Sequence, residues 1–182
     1  MITECYGRRF AGLLASIAAT WLLAACAAPA KPRSAPGAVP ATVINLDLAT
    51  QFGVALAGTP AEVLREGRRV RIVLPAQLVF QTDTASVLPQ ASASLAPMLA
   101  VMAAHRSLHV NLRAHTDSIG SLAFNEEFSR QRAAALRLWL MEKAVPEQAI
   151  EAHGLGETVP VADNSTPAGR ERNRRVELLL GP

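Results

Sequence analysis

Apolar and polar residues alternate from Arg69 onward: Val70, Ile72 and Leu74 on one side, Arg69, Arg71 and Val73 on the other. A period of two sends successive side chains to opposite faces of a strand. Glu66-Gly67 just before it is turn chemistry, so Glu62 to Leu74 reads as a β-hairpin. The rival reading, a helix capped by Thr59 with Pro60 at its first position, explains the alternation less well. Pro75 breaks the run, and "QLVF" predicts a resumed strand to Phe80. Leu95, Leu99 and Met102 recur at helical spacing, which predicts a helix over Pro89–His105 with a kink or late start at Pro97.

A second alternation places Leu108, Val110, Leu112 and Ala114 opposite His109, Asn111, Arg113 and His115, a half-buried strand. "TDSIG" ends it. A long helix follows from about Ser121 to Lys143, its apolar side made by Leu122, Phe128, Ala135, Leu136, Trp139 and Leu140. A short strand is expected near Ile150–His153, then a Pro-, Asn- and Gly-rich loop over "TVPVADNSTPAGRERN", then a final strand, "RRVELLL". Residues 43–57 are compatible with either a strand or a short helix. The order is hairpin, α, β, α, β, β. It predicts a two-layer α/β sandwich, a small mixed β-sheet with helices packed on one face.

The N-terminus changes the compartment. Arg8 and Arg9 precede a charge-free apolar run, Phe10 to Ala25, short for a membrane span of about 20 residues. This is the pattern of a secretory signal. It ends in Leu23-Ala24-Ala25-Cys26, which resembles a bacterial lipobox, in which the cysteine thiol is acylated and becomes the new N-terminus. By the same resemblance Ala27, in place of an acid, favours delivery to the outer membrane. Residues 27–41 are rich in Pro and Ala, which suits an extended tether and cannot build a core. The expected organisation is a signal segment at 1–25, the lipidated Cys26 and tether at 26–42, an N-terminal extension at 43–68 whose structure the pattern leaves open, a hairpin among the options, and a globular domain at 69–182.

Composition narrows the chemistry. Of 182 residues half are hydrophobic but only 4% aromatic, so the core must be aliphatic. A net charge of +3 without a dense basic block argues against nucleic acid as a partner. Both cysteines, Cys5 and Cys26, lie near the N-terminus, so the globular part has no disulfide framework or Cys-based metal site. His109 and His115 lack a clear third metal ligand. The Gly-rich "GLGE" lacks the strand-to-helix context of a phosphate cradle.

Three ordered pieces, "HTDSIG", "N..FSRQRA" and "GLGETVPVADNSTPAGRERNRRVE", resemble the OmpA-like C-terminal domain. That domain is the peptidoglycan-associating module of outer-membrane proteins, Pal-type lipoproteins and flagellar stator proteins. The likeness runs from about Val73 to Leu180. Ala114 stands where the family has Gly, Phe128 where it has Leu, and Gln81 where it has an acid; Asp83 follows two residues on, where the family often has Asn or Asp.

The resemblance implies a ligand, the zwitterionic end of diaminopimelate in peptidoglycan stem peptides. A carboxylate can take its ammonium and a guanidinium fork its carboxylate. Asp117 and Arg132 are the expected pair, with Thr116, Asn125, Asp83 and Arg174 around them; Asn125 either orients Asp117 or meets the ligand. The expected protein is an outer-membrane lipoprotein facing the periplasm that anchors the membrane to the cell wall without a cofactor, a metal or catalysis. Periplasmic envelope proteins are further expected partners. Two other readings remain: a protein-interaction module of the same fold with weak or no glycan binding, and an enzyme acting on peptidoglycan through His115 and Asp117.

Overall fold

The alternating stretches become neighbouring strands. In the computed structural model, which describes residues 47–143 and 145–182, β1 (Glu62–Glu66) and β2 (Arg69–Pro75) form the expected hairpin around Gly67, whose φ is +60°. β3 (His109–His115), β4 (Ile150–Gly156) and β5 (Arg175–Gly181) complete a five-stranded sheet in the order β1-β2-β5-β3-β4. Only β3 and β4 are parallel. A parallel pair needs a crossover, and α5 (Leu122–Lys143) supplies it. The expected signal segment, Cys26 and the tether lie outside the described residues.

One face of the sheet builds the core. Val70, Ile72 and Leu74 of β2, Val110, Leu112 and Ala114 of β3, and Val176, Leu178 and Leu180 of β5 are all buried. Against them pack Ala133, Leu136, Trp139 and Leu140 of α5, and Met98, Leu99 and Met102 of α4 (Ala96–Ala104). A fully buried aliphatic side chain contributes about 1.5–3 kcal/mol, so these rows dominate the driving force. The fold is the expected two-layer α/β sandwich.

Residues 47–68 join this core. α1 (Leu48–Ala55) is capped by Asp47, whose carboxylate accepts from Ala49 N and Thr50 N. Its Phe52 is fully buried in the core, with Leu56 beside it. The expected boundary at residue 69 falls inside the hairpin, since β1 pairs along its length with β2.

Four local expectations are corrected. "QLVF" does not resume a strand: Ala76–Val79 is a single helical turn, α2, closed by Phe80 N donating to Ala76 O, and Phe80 only bridges to Val87. Such a short apolar run does not distinguish strand from helix by periodicity. The helix expected over 89–105 is two pieces, α3 (Ala91–Ser94) and α4, because Pro97 has no N–H to continue the first turn and fits only near the start of a helix. β4 runs three residues further than expected, to Gly156. The expected loop contains a helix, α6 (Pro167–Asn173), so β4 and β5 are not consecutive elements. Its Thr166 hydroxyl accepts from Gly169 N at 3.0 Å and Pro167 opens the first turn, the usual chemistry of a helix start.

Candidate functional site

The site forms where β3 ends beside the end of β4. Thr116 N donates to Gly156 O at 2.9 Å, and Gly156 takes φ +53° to offer that carbonyl. The chain then turns at Asp117, whose Oδ1 accepts from Ile119 N at 3.0 Å. Asn125, on the first turn of α5, reaches back: its amide lies 3.2 Å from Asp117 O, 3.1 Å from Ile119 O and 2.6 Å from the Glu157 carboxylate. Asn125 thus holds the main chain of the turn rather than the Asp117 carboxylate. From the far side the Asn164 side chain accepts from Ser118 N and from the Asn173 amide.

Glycine brings the helix close enough for this bracing. A Cβ on Gly154 would overlap the backbone of Ser129 and Arg130, so α5 lies directly on β4 there. The Ser129 hydroxyl accepts from Gly156 N at 2.8 Å across the same contact.

Arg132 lies two turns along α5 from Asn125. Its guanidinium carbon is 4.2 Å from the Phe128 ring centre and 5.1 Å from that of Phe80, and its Nε donates to Thr84 O at 2.9 Å. Aromatic faces stabilise a cation electrostatically. Its Nη1 and Nη2 meet no protein acceptor among the described residues. Burial pulls the Arg132 pKa below its ordinary value, opposed by the Asp83 carboxylate and reinforced by Arg174. Asp83 sits in the 81–86 turn with φ +53°, the left-handed region that Asp tolerates better than most residues.

Arg174 arrives from the end of α6. Its Nη1 donates to Asp117 Oδ2 at 2.6 Å, and its Nη2 to Glu171. Burial acts to lower the Arg174 pKa, yet the Asp117 and Glu171 carboxylates hold it above its ordinary value.

Asp83, Thr116, Asp117, Asn125, Arg132 and Arg174 all line one cavity of about 610 Å³. Asp117 and Arg132 are only 7% and 6% exposed, more deeply seated than a turn residue and a helix-surface residue would be. Gln81 lines the same cavity. Sequence reading did not assign the aromatic contacts of Phe80 and Phe128, the Thr84 carbonyl, or Glu171; Phe80 stood only as an expected strand end, and Phe128 as part of the helix's apolar side and as a family position. The basic run Arg172, Arg174 and Arg175 is divided by the fold. Arg174 enters the cavity, while Arg175 turns to Glu177 at 2.7 Å. His115 does not line the cavity. An ammonium–carboxylate zwitterion meets complementary charge here, since Arg132 presents an unclaimed fork and Asp117 a buried carboxylate.

The sequence profile of the OmpA family matches residues 79–174. The probable lipoprotein YiaD of Escherichia coli K12 is 33% identical over 125 residues, covering 69% of this chain and 57% of YiaD. The peptidoglycan-binding protein ArfA of Mycobacterium bovis is 32% identical over 111 residues, 61% of this chain and 34% of ArfA. The chain thus spans about half or less of the length of these relatives. Among solved structures, the peptidoglycan-associated lipoprotein from Burkholderia pseudomallei superposes with a TM-score of 0.51 at 30% identity, covering 56% of this chain and 86% of that one.

Proposed function

This chain belongs to the OmpA family, and on that premise we propose that it binds peptidoglycan non-covalently, gripping the zwitterionic end of diaminopimelate in the stem peptides. One observation carries the reading: the Nη1/Nη2 fork of Arg132, with no acceptor among the described residues and its guanidinium against the rings of Phe80 and Phe128, shares a cavity with the Asp117 carboxylate. A planar fork favours a carboxylate bidentately, and a carboxylate favours an ammonium. Thr116 and Asp83 lie on the same walls, and Asn125 keeps the Asp117 turn in place. Relatives whose names describe a peptidoglycan-binding protein and a peptidoglycan-associated lipoprotein support the same ligand.

In this reading the protein is an outer-membrane lipoprotein facing the periplasm. Acyl chains on Cys26 hold it to the membrane, each buried methylene contributing about 0.8 kcal/mol, and the tether spans to the cell wall. The role is that of an anchor; no step of catalysis belongs to it. Sedimentation with purified sacculi tests this. The wild-type protein should co-sediment and Asp117→Ala should remain largely in the supernatant. Equal recovery of both, with both folded by circular dichroism, would remove the cavity from the mechanism and leave the protein-docking alternative.

A further inference from the structure

Asp117 is not an open carboxylate. Ile119 N occupies Oδ1 at 3.0 Å and Arg174 Nη1 occupies Oδ2 at 2.6 Å. Arg132, by contrast, has no acceptor for either terminal nitrogen among the described residues. An incoming zwitterion therefore finds a free cation and an anion already paired. Each carboxylate oxygen keeps a second lone pair, so the ammonium either shares the buried carboxylate beside Arg174 or takes its place.

Sharing sets two like charges within a few ångströms on a carboxylate that is only 7% exposed, where repulsion is screened less than in bulk water. Displacement demands little. Arg174 already holds Glu171 with its second nitrogen, and both side chains are about two-fifths exposed, at 38% and 42%. A released fork therefore stays paired and solvated. The backbone need not follow: Arg174 N donates to Arg170 O at 3.0 Å, and its carbonyl accepts from Ala76 N at 2.9 Å.

We infer that Arg174 is a resident counter-cation of Asp117 that the ligand's ammonium replaces, with Glu171 receiving the displaced guanidinium. The inference rests on the zwitterionic ligand proposed above and adds to it a step of cation exchange. Before the ligand arrives, Arg174 keeps the buried Asp117 charge paired. It also sets a threshold: a ligand without an ammonium gains nothing at Asp117.

Calorimetric titration of the full chain in detergent with free meso-diaminopimelate tests the exchange. Removing the competitor in Arg174→Gln should tighten binding by about threefold or more, the scale of one partly exposed ion pair. Glu171→Gln removes the receiving carboxylate and should weaken it. Adding Glu171→Gln to Arg174→Gln should then change nothing further. Unchanged or weaker binding by folded Arg174→Gln overturns the exchange, as does a weakening by Glu171→Gln that persists in the double variant. A second readout needs no variant: the side-chain Nε–H resonance of Arg174 in the wild-type protein should move with diaminopimelate and not with pimelate, which lacks both amines. A stationary resonance at saturation also overturns the inference. If neither wild type nor Arg174→Gln binds saturably, the diaminopimelate reading itself falls, and the exchange with it.

Discussion

His115 Nε2 stands 3.8 Å from Glu177 Oε1, both side chains buried, on the sheet face opposite Ala114. Arg175 reaches the same carboxylate at 2.7 Å and Arg71 at 3.2 Å. Neither ring nitrogen of His115 finds a hydrogen-bond partner among the described residues. Burial, and then the charge of Arg175, push the His115 pKa down to about 4. Burial alone would raise the Glu177 pKa, but the hydrogen bond and charge of Arg175 hold it below its ordinary value.

Both groups make the fold less stable in acid. As pH falls below the unfolded histidine value of 6.5, the unfolded chain takes up a proton that the native His115 refuses until about pH 4. Stability is lost across that window, on the order of 3 kcal/mol in full. The stabilising contribution of Glu177 is present above its unfolded value and is lost as pH falls through its lower folded value, which steepens the acid end. Urea unfolding at steps from pH 7 to pH 4 should show this decline, and His115→Gln should flatten most of it between pH 6.5 and 4.

Asp117→Asn keeps the size of the side chain and removes its charge. Arg132→Lys keeps the charge and loses the planar fork. Each should weaken binding to sacculi or free diaminopimelate by roughly tenfold or more, since a charge-assisted hydrogen bond contributes about 1.5–3 kcal/mol. The double variant should lose less than the sum, because in the proposed site both residues would serve one ligand. Both side chains are buried, so each variant should also lose about 1–2 kcal/mol of stability, read from urea unfolding beside the binding measurement. Wild-type binding by either folded variant would exclude that residue from the site.

Gly154→Ala should be among the most costly substitutions to a small residue. The added methyl meets helix backbone, which cannot rotate away as a side chain can. Overpacking typically costs 1–3 kcal/mol, and about 3 kcal/mol is expected here, measured by chemical denaturation. Separating α5 from β4 also pulls Asn125 from the Asp117 turn, so binding should weaken in the same variant.

Cys26→Ser removes the only acyl acceptor of the lipobox-like sequence. Fractionation should find an unprocessed precursor or a free periplasmic form in place of a detergent-extracted mature protein. A mature, membrane-extracted Cys26→Ser protein would rule out lipid anchoring at this residue.

Strands β2 and β3 and helix α5 were legible in the chain because their signal is local. Period two over Val70–Leu74 and Leu108–Ala114, and a 22-residue helix carrying Leu136, Trp139 and Leu140 at helical spacing, need no knowledge of partners. Helix α6 was read as loop, although Thr166-Pro167 carries the local signal of a helix start. "QLVF" was not legible, because four apolar residues fit either period. Motif likeness located the six cavity residues through residue type and order, without showing how they engage one another.

Local spacing therefore determined the main strands and the long helix and which face of each is apolar, and motif likeness pointed to the acid and base of the site. Tertiary structure decided their partners. β5, last in the chain, inserts between β2 and β3 and delivers Arg174 to Asp117, 57 positions away. The same insertion sets Glu177 against His115. Periodicity is a property of neighbouring residues, whereas such pairings depend on which strands close against each other across long loops. No local pattern encodes that choice; the shared burial of Val70, Val110 and Val176 on one sheet face does.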